Sequence, residues 1–177
     1  VGSEMCIRDR IDLEGLACHR GSTFGGLGMN KQPTNEQFEN KIAEKLKGFK
    51  RSNKILVEAE SANIGKCKIP YEFFNQMKTA ERIEIIKSES NRLEELIKTY
   101  SIFEEKDLIE AVLRIKKRLG PQRTKIAVDS IKNKDWKSVC KSVLEYYDKC
   151  YNHEKAGKNN IKLLDMTDIF DDQNTLK

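Results

Sequence analysis

Between Ile11 and Tyr100 the chain alternates short β-branched runs with amphipathic stretches, and no other feature constrains the fold as much. The residues around Ile11 to Glu14 read as the end of a buried strand. Lys54–Ser61 reads as a second strand, apolar on both faces, and Glu81–Lys87 as a third. Between them, Pro33–Phe49 carries the marks of a helix: Thr34 or Asn35 to cap it, Glu36 and Glu39 at the positive end of its dipole, and Phe38, Ile42, Leu46 and Phe49 on one stripe. Ile69–Met77 predicts a short helix with Pro70 near its first turn. Ser88–Tyr100 predicts another, with Leu93, Leu96, Ile97 and Tyr100 on one face. Such alternation predicts βαβ units in a parallel sheet with right-handed crossovers.

Beyond Tyr100 helices take over. Glu104–Leu119 keeps Leu108, Val112, Ile115 and Leu119 in register, Pro121 can open a further helix, and Asp135–Tyr147 places Trp136, Val139, Cys140, Val143, Leu144 and Tyr147 on one stripe. Asn160–Asp165 reads as a last strand. Val1–Arg10 reads as a translated sequencing adapter and is set aside. The expected organisation is therefore 1–10 adapter, 11–100 α/β core, 101–160 helical subdomain, and 161–177 last strand with a frayed tail. No apolar run reaches membrane-spanning length and no secretory signal is visible, so a cytoplasmic protein without a membrane partner is expected. Cys18, Cys67, Cys140 and Cys150 are scattered, and His19 and His153 are the only imidazoles. That pattern predicts free thiols and no zinc site.

Three stretches carry candidate chemistry. The first, Asp12–Gly25, breaks into a loop bearing His19, Arg20, Ser22 and Thr23 among Gly21 and Gly25. Glycine lets main-chain N–H groups approach an anion, although an ordinary strand-to-helix connection uses the same residue types. Cys18, beside His19 and Arg20, has neighbours that can stabilise a thiolate, and a buried spacer fits it too. The second is Glu58, Glu60 and Ser61 at the carboxyl end of a predicted strand, where α/β folds bind ligands or orient a metal. Glu58 and Glu60 would share one side of an extended chain, and solvated acids fit as well. The third is Arg114–Lys125, with six cations and no acid. With a net charge of +5, it can supply phosphate contacts to nucleic acid or a solvated helix end. Tyr146, Tyr147, Tyr151 and His153 are stacking surfaces in the first case and core in the second.

Residues 12–25, Gln32-Pro33, Gln37–Asn40, Val57–Ser61 with Ile64-Gly65, Ile115–Arg123 and Glu145–Tyr151 together resemble the C-terminal P-loop domain of bacterial tRNA 2-selenouridine synthases. The resemblance implies a P-loop NTPase-like α/β fold, here lacking its first strand and phosphate loop, with a C-terminal helical subdomain. It also implies a missing N-terminal rhodanese domain holding the functional cysteine, so no catalytic residue is assigned in this chain. The implied reaction converts wobble 2-thiouridine of tRNA to 2-selenouridine through an S-geranyl intermediate, with geranyl diphosphate and selenophosphate as donors. Magnesium is compatible with it. Carried onto matching residues, His19, Arg20, Gly21, Ser22, Gly25 and Ser61 would contact the phosphorylated donor. Glu14, Glu58 and Glu60 would form an acidic edge, and Lys116, Lys117, Arg118, Gln122, Arg123, Tyr147 and Tyr151 would hold tRNA. Ala62 departs from the family, which has a basic residue after Ser61. Two rivals share these elements: a fragment of a small-molecule P-loop kinase, and a non-catalytic tRNA-binding module.

Overall fold

A computed structural model describes residues 10–50, 54–155, 161–165 and 167, with side chains 152–155 excepted. The predicted adapter stretch up to Asp9, the His153 side chain and the tail after Thr167 lie outside them. Two compact units divide between Ala80 and Glu81, upstream of the expected boundary at residue 100.

In the first unit, β1 (Arg10–Ile11) pairs in parallel with β2 (Leu56–Val57). The acidic run after Ile11 does not continue the strand. Asp12 caps the short helix α1 (Leu13–Ala17), its side chain accepting the Gly15 N–H at 2.7 Å. A carboxylate that can satisfy an orphan amide favours helix initiation there over extension. Lys54–Ser61 is also shorter as a strand than expected. Leu56 is 52% exposed, so β2 is not buried on both faces. The Glu60 N–H turns back onto the Glu58 carbonyl at 2.8 Å, so the segment carrying the two acids is bent.

The helix α2 (Asn35–Lys47) starts where its signals place it: Thr34 and Gln37 form a reciprocal capping box. Phe38 and Ile42 are buried against Ile11, Leu13, Ala17, Ile64, Cys67 and Ile69, with Leu46 and Phe49 packed at the margin. An antiparallel hairpin that the α/β pattern did not predict, β3 (Asn63–Ile64) with β4 (Cys67–Lys68), turns at Gly65. Helix α3 (Tyr71–Thr79) follows Pro70.

Gln32 fastens these parts. Its Nε2 donates to the carbonyls of Ala17 at 3.1 Å and Ile64 at 2.9 Å, and its Oε1 accepts the Lys66 N–H at 2.9 Å. One amide thus joins the end of α1 to both sides of the hairpin turn. Gly65 has φ +60, and a Cβ there would lie 2.3 Å from that same Oε1, so glycine is required twice over.

In the second unit, β5 (Arg82–Ile86) pairs in parallel with β6 (Ile161–Asp165), and Ser88 caps α4 (Glu89–Tyr100) by accepting the Asn91 N–H. Among the described residues the parallel strands form two-stranded pieces, not one sheet. The predicted helix over Glu104–Leu119 breaks at Ile115 (φ −99, ψ 5) into α5 (Glu105–Arg114) and α6 (Lys116–Leu119). Gly120 at φ +88 and Pro121 at the first helical position then start α7 (Pro121–Lys132). Along α8 (Trp136–Lys155), Cys140 and Leu144 bury against Leu93 of α4, and burial pushes the Cys140 thiol up to about 11. The Arg92 guanidinium grips Asp148 across the same pair of helices.

Replacing Gln32 by Ala would strand backbone partners it now satisfies. We expect a loss of about 1–3 kcal/mol in urea unfolding with an unchanged denaturant slope. A change below about 0.5 kcal/mol would show that water replaces the amide without cost.

Candidate donor site and basic helical face

Cys18 adopts the left-handed conformation (φ 50) and closes α1, its N–H reaching the carbonyls of Glu14 and Gly15. The loop that follows is self-bonded. Arg20 N–H donates to the Gly25 carbonyl at 3.0 Å, Ser22 N–H to that of Arg20 at 2.8 Å, and Gly25 N–H to that of Ser22 at 2.9 Å. The Ser22 hydroxyl accepts the Phe24 N–H at 3.2 Å. These amides, which the glycine pattern offered as anion ligands, are engaged inside the loop. The Arg20 guanidinium also works locally, donating through Nη1 to the Leu27 carbonyl at 2.8 Å.

The acidic edge converges on this loop. Gly21 has φ +68, and a Cβ there would meet Glu60 Oε1 at 2.6 Å, so the Glu60 carboxyl rests on the glycine backbone. Glu14 hydrogen-bonds Glu60 and feels the Arg20 charge. Burial, reinforced by Glu58 and Asp12, nevertheless lifts its carboxyl above the usual range, against the pull of Glu60 and Arg20. Glu58 is committed to the scaffold: its two oxygens take the Leu13 N–H and the Arg10 guanidinium, each at 2.7 Å. That contact makes Arg10 part of β1 and its ion pair.

The Ser61 hydroxyl is engaged locally, donating to the Asn63 carbonyl at 2.8 Å. His19 lies over Gly26 and Gly65. Burial lowers its pKa, and its Nδ1 is shielded from solvent with no hydrogen-bond partner in the described structure. The described residues contain no group of three or more His, Cys, Asp or Glu placed to hold a metal ion. The structure therefore gathers Glu14, Glu60, Arg20 and Gly21 at one place, with Glu58 as a strut beside them.

Gln32 is the residue whose importance the sequence concealed. Its signals were its position just before Pro33 and a well-capped helix, and its place in the Gln32-Pro33 block of the family resemblance.

In the second unit Lys116, Lys117, Arg118, Gln122 and Lys125 are exposed on α6 and the start of α7. Arg114 is paired with Glu110 at 2.7 Å and Arg123 with Glu145 at 3.6 Å, so part of the predicted positive charge is neutralised. Tyr146 is buried and hydrogen-bonds Arg118. Burial is the main cause raising its pKa, with Cys150 adding to it. Tyr147 stacks on Tyr151 with ring centroids 6.2 Å apart and an interplanar angle of 29°, and Tyr151 remains 51% exposed. No described helix is long and apolar enough to cross a membrane.

Residues 5–168 match the family described as the tRNA 2-selenouridine synthase AAA domain. The chain belongs to that family. The match starts inside the stretch expected to be adapter-derived.

Relatives named tRNA 2-selenouridine synthase agree. The one from Shewanella oneidensis is 37% identical over 95 residues, covering 52% of this chain and 25% of its own length. Those from Aeromonas salmonicida and Pseudomonas syringae pv. syringae are 33% and 32% identical over 135 and 137 residues, each covering 66% of this chain and 36% and 37% of their own lengths. The chain thus spans between a quarter and little more than a third of these selenouridine synthases. No solved structure matches it.

The raised Glu14 carboxyl has a consequence for stability. The folded state holds its proton above 4.5, where the unfolded chain releases it, so stability falls as pH climbs through the raised value. Glu14→Gln keeps a donor toward Glu60 without ionising. It should melt higher than the parent at neutral pH and flatten the melting profile above pH 4.5. An unaltered profile would assign the titration to another group.

Proposed function

We propose that this chain is the donor-handling and tRNA-binding part of an enzyme that converts wobble 2-thiouridine to 2-selenouridine, lacking the first strand and phosphate loop of its P-loop fold. The observation that carries the reading is the convergence of Arg20, Gly21, Glu14 and Glu60 at the end of α1. It sits in a chain whose named relatives are tRNA 2-selenouridine synthases.

In this reading the thiocarbonyl sulfur first displaces diphosphate from geranyl diphosphate. The selenium of selenophosphate then adds at the thioether carbon of the base and expels the S-geranyl group as geranylthiol, and water cleaves the Se–P bond to release phosphate. Both donors are polyanions. Arg20 supplies the cation that meets them, and the self-bonded loop holds that arginine in place.

Glu14 and Glu60 share a hydrogen bond beside that cation, so the acidic pair limits how far the donor's charge is matched. His19 borders the loop and Ser22 lies within it, whereas Ser61 contributes through the turn at Asn63. Magnesium, if used, would be bound with the donor and not by a protein cage, a mode common for this ion.

The exposed Lys116, Lys117 and Arg118 hold the tRNA backbone in this reading, with Gln122 and Arg123 beside them and Tyr147 and Tyr151 as a stacking surface. The functional cysteine belongs to the rhodanese domain of the longer protein, so the chain alone is not competent. The whole enzyme is read as cytoplasmic.

The test uses the full-length Aeromonas salmonicida relative. Arg20→Ala at the equivalent position should lower donor use by roughly 10- to 100-fold, the worth of a charge-assisted hydrogen bond, while tRNA affinity holds. Equal loss of both would make Arg20 a loop-bracing residue. Replacing the equivalents of Lys117 and Arg118 by Ala should reduce the salt slope of tRNA affinity by about 1 per residue. An unchanged slope would remove them from the interface.

A further inference from the structure

Two thiols meet at the glutamine that ties the first unit together. Gln32 Nε2 lies 3.5 Å from Cys67 Sγ and 3.1 Å from the Ala17 carbonyl, whose peptide continues into the backbone nitrogen of Cys18. The left-handed turn at Cys18 ends α1 at that point, and the Arg20 loop departs from it. The Cys67 side chain is fully buried, and its Sγ donates to the Pro33 carbonyl at 3.6 Å. Cys18 is partly exposed. Burial first, and then the charge that Cys18 would carry, push the Cys67 thiol up, so the two sulfurs sense each other through the protein.

A buried thiol is inert toward a solvent oxidant by itself, whereas an accessible one can be oxidised to a sulfenic acid that condenses with a neighbouring thiol. The first unit holds one of each kind at a single side-chain amide. We propose that Cys18 and Cys67 are a reversible thiol–disulfide couple at the root of the Arg20 loop, in which Cys18 meets a peroxide and Cys67 resolves the product. Cys18 Sγ attacks the peroxide, an S–O bond forming as the O–O bond breaks, and the thiol proton leaves with the departing oxygen as an alcohol or water. Cys67 Sγ then attacks the Cys18 sulfur. An S–S bond forms as the S–O bond breaks, and the Cys67 proton leaves with the hydroxyl as water. The two thiols together lose two electrons and one peroxide gains them.

The closed bond joins the end of α1 to β4. To make it, Cys67 gives up its contacts with Gln32 and the Pro33 carbonyl, so oxidation acts on the same amide that holds α1 to the hairpin. Both cysteines belong to the first unit, and neither the donor reading nor the tRNA reading enters. Failure here therefore leaves the Arg20 and Lys117 tests standing, and their failure leaves this one standing.

The test exposes the present chain to hydrogen peroxide, in buffer and in urea, and digests it without reduction for mass spectrometry. In buffer the main new product should be a peptide pair joined through Cys18 and Cys67, reversed by dithiothreitol, with Cys140 and Cys150 still free. Urea should scatter the pairing. In Cys67→Ser, trapping of Cys18 by dimedone should rise on the order of 10-fold, because its sulfenic acid has lost the thiol that consumes it. Cys18→Ser should leave Cys67 reduced under the same exposure. Cys18 accumulating as sulfinic acid beside a free Cys67 would overturn the proposal. So would preferential pairing of Cys67 with Cys6, Cys140 or Cys150, or the same mixture of pairings in urea and in buffer.

Discussion

The first unit depends on one carboxylate. Glu58 stands at the end of β2 and takes the Leu13 N–H with one oxygen and the Arg10 guanidinium with the other. An ionised acid at the first turn of a helix satisfies an orphan amide and favours the dipole. Here the acid also comes from a neighbouring strand, so the same contact fixes where α1 begins relative to β1 and β2. Everything downstream inherits that placement: the left-handed exit at Cys18, the loop closed by Arg20 and Gly25, and the position of Gly21 under Glu60. Gln32 does the corresponding work at the other end of α1. The two side chains share a logic, each spending several hydrogen-bonding atoms on backbone groups of elements that are remote in sequence.

Helix positions were largely legible in the sequence because their signals are local. Thr34 with Gln37, Ser88 three residues before Asn91, and Gly120-Pro121 announce helix starts through side-chain chemistry that needs no tertiary context. Strand extents were not legible in the same way. The run Lys54–Ser61 has the composition of a buried strand, yet a strand's length depends on which neighbours offer paired edges, and only Leu56–Val57 find one among the described residues. Asp12 shows local chemistry overruling composition, as its cap converts an apolar-acidic run into a helix.

The candidate site was legible as a set of residues but not as a set of roles. Glu14, Glu58 and Glu60, expected to form an acidic edge, lie close together, with Glu60 against Gly21 and Glu58 on the start of α1. Their division of labour, with Glu58 structural and the other two sharing a hydrogen bond, depends on a bend at Ala59 that alternation along a strand does not anticipate. The amides of Arg20, Ser22 and Gly25, which glycine content alone left available, donate to carbonyls within the loop, and that of Phe24 donates to the Ser22 hydroxyl. The basic stretch divides likewise: Arg114 and Arg123 find acids on their own or a neighbouring helix, leaving Lys116, Lys117, Arg118 and Lys125 as the exposed cations.

The contact of Glu60 with Gly21 means that two segments far apart in sequence move as one body. With no side chain between them, the carboxyl sits directly on the peptide, and the stiffness of the closed loop passes to the acid without a flexible linker. Any displacement of the loop therefore becomes a displacement of negative charge, and any change in the charge of the Glu14–Glu60 pair becomes a force on the main chain at residue 21. The corner is mechanically and electrostatically the same object.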